Sequence, residues 1–141
     1  MTKNMLDRDP SFYDEVAASD KPYQLAILNA DGTEDGLVLD ILGSQSEVVQ
    51  MEVNRLVNDR RKRKAQAAAV AKGEPLDFTP VEDDISFGHR LTAVRVVGWN
   101  LKAPFSAEAA YRLVSRSARI SEQVTAASND LGNFTSASSE S

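Results

Sequence analysis

Two apolar runs of period two, separated by a loop that carries Asp-Gly twice, constrain the fold of this chain more than any other feature. Leu25 and Ile27 alternate in YQLAIL, and Leu37, Leu39 and Ile41 alternate in LVLDILG, on either side of NADGTEDG. Alternation places one set of side chains on one face of a strand, and Asp31-Gly32 and Asp35-Gly36 tolerate positive φ. Residues 22–43 are therefore predicted to form a β-hairpin with a long loop. A hairpin alone is marginal in water and must lay its apolar face on another element. The remaining periodicity is helical, so the expected fold class is α+β: a small N-terminal hairpin packed on a long basic helix, followed by a mainly helical C-terminal half.

The long helix is predicted over residues 44–73. Ser44 and Glu47 have the spacing of a capping box, Val49, Val53, Leu56 and Val57 recur on one face, and Gly73 is a suitable C-terminal stop. At 1.5 Å per residue such a helix is about 40 Å long. That is more than a hairpin covers, so its second half either projects or breaks near the basic run. EPLDFTPVEDD, residues 74–84, has two prolines and five acids and reads as an acidic loop. The helical half, 85–134, opens with Ile85, Phe87, Leu91, Val94 and Val97 at mostly helical spacing, ending at Gly98. Ser106 is the expected N-cap of the next helix, with Phe105 as its staple and Glu108 in its first turn. A last helix runs from about Ser117 through Ile120, Val124 and Ala127 to Leu131, closed by Gly132, with Phe134 folding back. Residues 22–134 thus read as one domain, between a flexible acidic arm (1–21) and a Ser-rich disordered tail (135–141).

Charge is segregated along the chain. The net charge is -5, but residues 1–43 hold nine acids against three bases and residues 44–73 hold seven bases against three acids. Net acidity argues against a general polyanion-binding surface. The chain has no cysteine, which excludes disulfides, thiolate catalysis and sulfur-ligated zinc. Its N-terminus lacks the apolar core of a signal peptide and no run approaches the ~20 apolar residues of a membrane span, so a cytosolic protein without membrane contact is expected.

Residues for chemistry are sparse. His89 is the one histidine, and Asp83 and Asp84 do not share its helical face, so a structural role is preferred. Neither a nucleophile elbow nor a glycine-rich phosphate loop occurs. Asp31, Thr33, Asp35 and Gly36 resemble the start of a calcium loop, but Leu42 stands where a bidentate Glu is needed, and a turn is the better reading. No enzyme, metal or cofactor is expected. The sharpest local feature is Arg60, Arg61, Lys62, Arg63 and Lys64. Five consecutive cations could meet phosphates or an acidic protein surface. Without interleaved aromatic groups, a solvated face balanced by the chain's own acids, or a protein contact, is preferred. Trp99 reads as a core residue between two helices, with a partner hot spot as the alternative.

The stretch from Leu91 to Phe134 resembles the C-terminal half of tail assembly chaperones of long-tailed bacteriophages. The likeness rests on Trp99, Phe105-Ser106, Glu108, Leu113, Ile120, Gln123-Val124 and Asn133-Phe134. PYQLAILNADGTEDGLVLDILGSQSEV is similar to that family's hairpin leading through a Gly-Ser link into a basic helix, so the resemblance spans 22–134 and is most specific over 98–134. Many members have a proline and an aromatic residue before the Gln-Val helix, where this chain has SRSARISEQV. The resemblance implies a non-catalytic protein of the host cytoplasm that holds the tape measure protein and helps recruit tail tube subunits; a homo-oligomer is left open. Holding an amphipathic helix needs exposed helical grooves and segregated charge, which makes Arg60, Arg61, Lys62, Arg63, Lys64, Trp99 and Phe105 the candidate partner-binding residues. The alternatives are a structural tail or connector subunit retained in the virion and, less favoured, a nucleic-acid-binding regulator that uses the basic helix.

Overall fold

The α+β fold follows from the hairpin. In the computed structural model, which describes residues 5–70 and 81–135, strands β1 (Tyr23–Leu28) and β2 (Glu34–Ile41) pair antiparallel, with Tyr23 opposite Ile41 and Leu25 opposite Leu39. Beyond the Ala26–Val38 pair the register shifts, Leu28 meeting Glu34. Gly36 lies within that bulge at φ 103° and Gly32 in the turn at φ 88°, so both Asp-Gly pairs do provide positive-φ glycines. Ile27, Leu39 and Ile41 are fully buried on the inner face.

A third strand lies where a helix was expected. Helix α3 (Val81–Ala93) stops three residues before β3 (Val96–Trp99), which pairs antiparallel with β2 to give the order β1-β2-β3. Leu91, Val94 and Val97 have helical spacing, but the β-branched run Val94, Val96, Val97 also suits a strand, and the second edge of β2 was available to pair. At Gly98 a Cβ would lie 2.7 Å from the Asp40 carboxylate oxygen, so a larger residue there has to push the end of that side chain aside. Asn100 prolongs the pairing: its N–H donates to Val38 O, its Oδ1 accepts from Val38 N and its Nδ2 donates to Gly36 O.

The inner face of the sheet packs on α3, α4 (Ala107–Arg116) and α5 (Ala118–Asn129). These contribute Ala93, Ala110, Val114, Ile120 and Val124 to one buried cluster with the strands. Ser106 caps α4 as expected, accepting from Ala109 N, and Ser117, the expected start of the last helix, caps α5 by accepting from Ile120 N. The end of α5 differs from expectation. The helix closes at Asn129, and Leu131 and Gly132 belong to a separate 3₁₀ turn, Leu131–Phe134, whose first residues are held by the Asp130 carboxylate accepting from Gly132 N. That turn delivers Phe134 back into the core, edge-on to Tyr23 at 5.9 Å.

Helix α2 (Glu47–Val70) is continuous through the basic run, and residues 61–70 are exposed. Its N-terminal hydroxyl is supplied by Ser46 rather than Ser44. The buried Ser46 Oγ accepts from Val49 N at 3.3 Å and donates to the Asp20 carboxylate. The position expected for its C-terminus, Gly73, lies outside the described residues, as does most of the Ser-rich tail. Two boundaries also move. Residues 81–84, assigned to the acidic loop, are the first turn of α3, where Glu82, Asp83 and Asp84 favour the helix N-terminus. Residues 10–19, assigned to a flexible arm, form a 3₁₀ turn (Pro10–Tyr13) and a short helix α1 (Glu15–Ser19), started by Asp9 and Asp14 side chains. They are held because Gly43 N donates to Ser19 O, and a Cβ at Gly43 would lie 2.6 Å from Ser19 Oγ.

Candidate functional site

Helix α2 meets the rest of the molecule through one stripe and leaves the neighbouring stripe bare. Val49 is fully buried and Val53, Leu56 and Val57 are half-buried, whereas Val48 and Met51 are 57% and 66% exposed. Large apolar side chains left in water next to a core are the informative kind of exposure. Val48 and Met51 form one side of an open groove of about 870 Å³, bounded across from α2 by α3, β3 and the start of α4. Val97, Phe105 and Tyr111 supply apolar surface on the far side.

The far wall is braced. The Arg90 guanidinium sits 4.0 Å from the centre of the Tyr111 ring and pairs with Glu108 at 3.2 Å, tying α3 to α4. Phe105 stands edge-on to Trp99 with ring centres 5.1 Å apart. Trp99 in turn donates from Nε1 to Ala103 O at 2.8 Å, which fixes the link between β3 and α4. Phe105 therefore reaches the groove from a rigid support, while Trp99 is half-buried against the core and does not line the groove.

Along α2 the groove continues at Leu56 and Arg90 into a second, more polar depression of about 510 Å³, lined on α2 by Lys62, Arg63 and Gln66 and on α3 by Ser86 and Phe87. The charges near the apolar end are internally matched. Arg55 lies between Glu52 and Asp59, and the hydrogen bond to Arg55 holds the Glu52 carboxyl below its ordinary range. Arg60 pairs with Asp83 and Asp84 and stacks 4.4 Å over Phe87. Arg61, Lys62, Arg63 and Lys64 are exposed and make no ion pair among the described residues.

The seven residues proposed from sequence thus separate into five placements. Arg60 is an internal brace, Lys62 and Arg63 face the polar depression, and Arg61 and Lys64 are exposed elsewhere on α2. Phe105 is a groove wall and Trp99 its support. Sequence reasoning missed Val48, Met51, Val97 and Tyr111. A signal existed for two of them, since Val48, Met51, Glu52 and Arg55 form a stripe at three- and four-residue spacing beside the stripe of Val49, Val53, Leu56 and Val57.

Elsewhere, His89 is half-buried within α3. The Asp31 carboxylate accepts from Thr33 Oγ1 and Thr33 N, which lowers its pKa and makes it the lock of the hairpin turn. Burial pushes the Arg95 guanidinium below its ordinary pKa. Among the described residues no group of three or more His, Asp or Glu side chains is placed to hold a metal ion, and no helix is long and apolar enough to cross a membrane. Comparisons with protein-family models, curated proteins and solved structures found no match for this chain.

Proposed function

We propose that this chain is a non-catalytic bacteriophage tail assembly chaperone that holds a helical segment of the tape measure protein in the groove beside α2 and helps recruit tail tube subunits around it. The observation that carries the reading is the braced, open apolar groove whose α2 side, Val48 and Met51, is left in water. A helix laid in a groove is held by apolar contacts at three- and four-residue spacing. The ridges of α2 that border the groove have that spacing. The sequence resemblance over residues 22–134 supplies the biological setting, and the geometry supplies the mode of holding.

The test is co-expression of the tagged chain with the tape measure protein of the same phage. The expected result is a soluble co-purifying complex, lost on Met51→Glu with Phe105→Ser, and no copies of the chain in finished particles. Both substituted residues are exposed, so circular dichroism of the variant should match the parent. Failure to associate, together with a fixed copy number in purified particles, would replace this reading with a structural tail or connector subunit.

A further inference from the structure

The apolar groove and the polar depression form one path along α2, from Met51 to Gln66, that changes character part-way. Fifteen residues of helix rise roughly 22 Å, so the path is about four helical turns long. Its first half offers Met51, Leu56 and Phe105, with Val48 just before it, and the α2 charges that line it, Glu52 and Arg55, are paired. Its second half offers Lys62 and Arg63. The acids beside them, Asp59 and Asp83, are engaged by Arg55 and Arg60.

Resting on the docking reading above, we propose that the occupant is an amphipathic helix of about four turns with a polarised charge pattern. Its apolar stripe lies against Met51 and Phe105, and a cluster of Asp or Glu at one end lies against Lys62 and Arg63. The helical walls favour a helix because ridges of side chains on α2 pack into the grooves of a second helix. Charge complementarity sets the polarity: surplus cations at one end select acids there, and a basic end is repelled. The pairs stay partly exposed, so they fix register and orientation more than total affinity.

The test uses three helix-stapled, fluorescein-labelled 16-residue peptides with the full chain, read by anisotropy at low and high salt. One has a leucine stripe with three Glu in its first turn, where acids are compatible with the helix. The second replaces those Glu by Lys, and the third keeps the Glu but replaces the leucines by Ser. The expected result is binding of the first peptide about tenfold tighter than the second at low ionic strength, narrowing in high salt. Lys62→Glu with Arg63→Glu should invert that preference. Met51→Glu should weaken both leucine peptides, and the serine peptide should not bind. Equal binding of the acidic and basic leucine peptides, still sensitive to Met51→Glu, would overturn the polarity while leaving the groove reading intact. Binding by neither, or binding indifferent to Met51→Glu, would overturn both. Displacement of the acidic peptide by an equimolar 16-nucleotide single strand would assign the cations to phosphate and also overturn the proposal.

Discussion

Gln123 closes an edge of the sheet in a way that mutation should expose. Its side-chain amide acts as a one-residue strand: Oε1 accepts from Leu28 N at 2.8 Å and Nε2 donates to Leu28 O at 2.9 Å. Arg119 adds a third bond to the same carbonyl at 2.7 Å. Leu28 ends β1, an edge strand whose only neighbour among the described residues is β2, so α5 is here fastened to the sheet through polar groups. Replacing Gln123 by Met keeps the side-chain length and removes both amide bonds. A neutral hydrogen bond contributes about 0.5–1.5 kcal/mol net. Water can replace partners at an exposed edge, which places the pair in the lower half of its range, about 1–2 kcal/mol. For a domain of this size that is a fall in melting temperature of roughly 3–8 °C. Urea unfolding followed by circular dichroism measures the first quantity and a thermal scan the second.

A residue-specific readout separates this bridge from a general loss of stability. Hydrogen exchange at the Leu28 amide should accelerate in Gln123→Met beyond the acceleration seen at core strand amides such as Leu39. The control is Gln24→Met, an exposed glutamine on the same strand, expected to stay within about 0.5 kcal/mol of the parent. A Gln123→Met protein as stable as that control, with unchanged protection at Leu28, would refute the idea that the amide bridge holds α5 to β1.

Gly43→Ala should destabilise by about 1–3 kcal/mol in urea unfolding, because the new methyl meets Ser19 Oγ and the Phe134 ring at under 3 Å. Phe134→Ala, which empties a buried site next to Tyr23, should cost about 3–5 kcal/mol by the same measurement. Ser46→Ala removes the hydroxyl at the start of α2 and should cost about 0.5–2 kcal/mol, with fraying at Glu47 and Val48 visible in backbone chemical shifts, whereas Ser44→Ala should leave that start unchanged. Glu52 should titrate below an ordinary glutamate in a carboxyl-detected NMR titration, and Arg55→Ala should raise it. Because the folded value is depressed, its contribution is present above the unfolded glutamate pKa and is lost as pH falls through the folded value. Solvent screening keeps that contribution small.

The elements whose cause is local were legible in the sequence. The hairpin follows from period-two alternation and two Asp-Gly pairs, and both glycines have the positive φ that the turn and bulge require. The starts of α4 and α5 follow from Ser106 and Ser117, whose hydroxyls reach the backbone three residues on. The return of Phe134 follows from an aromatic residue placed just beyond an amphipathic helix. Even the separation of acids and bases along the chain prepared for the pairing of Arg60 with Asp83 and Asp84.

What failed was decided at a distance. Val94 to Trp99 suits helix and strand alike, and the choice belongs to β2, whose second edge gains a ladder only if β3 lies on it. Ser44 and Ser46 are both reasonable caps by spacing. Asp20, from another part of the chain, selects Ser46 by accepting its hydroxyl. The groove draws on α2, α3, β3 and α4, which only the packed structure brings together. Propensity, alternation and capping act within a few residues and can be read from neighbours in sequence, whereas burial and strand pairing compare distant segments. The sequence by itself therefore determined the hairpin, the starts of α4 and α5 and the helical stripes, and the tertiary structure alone decided the third strand, the cap of α2, the anchored N-terminal helix and the surface left open beside Met51.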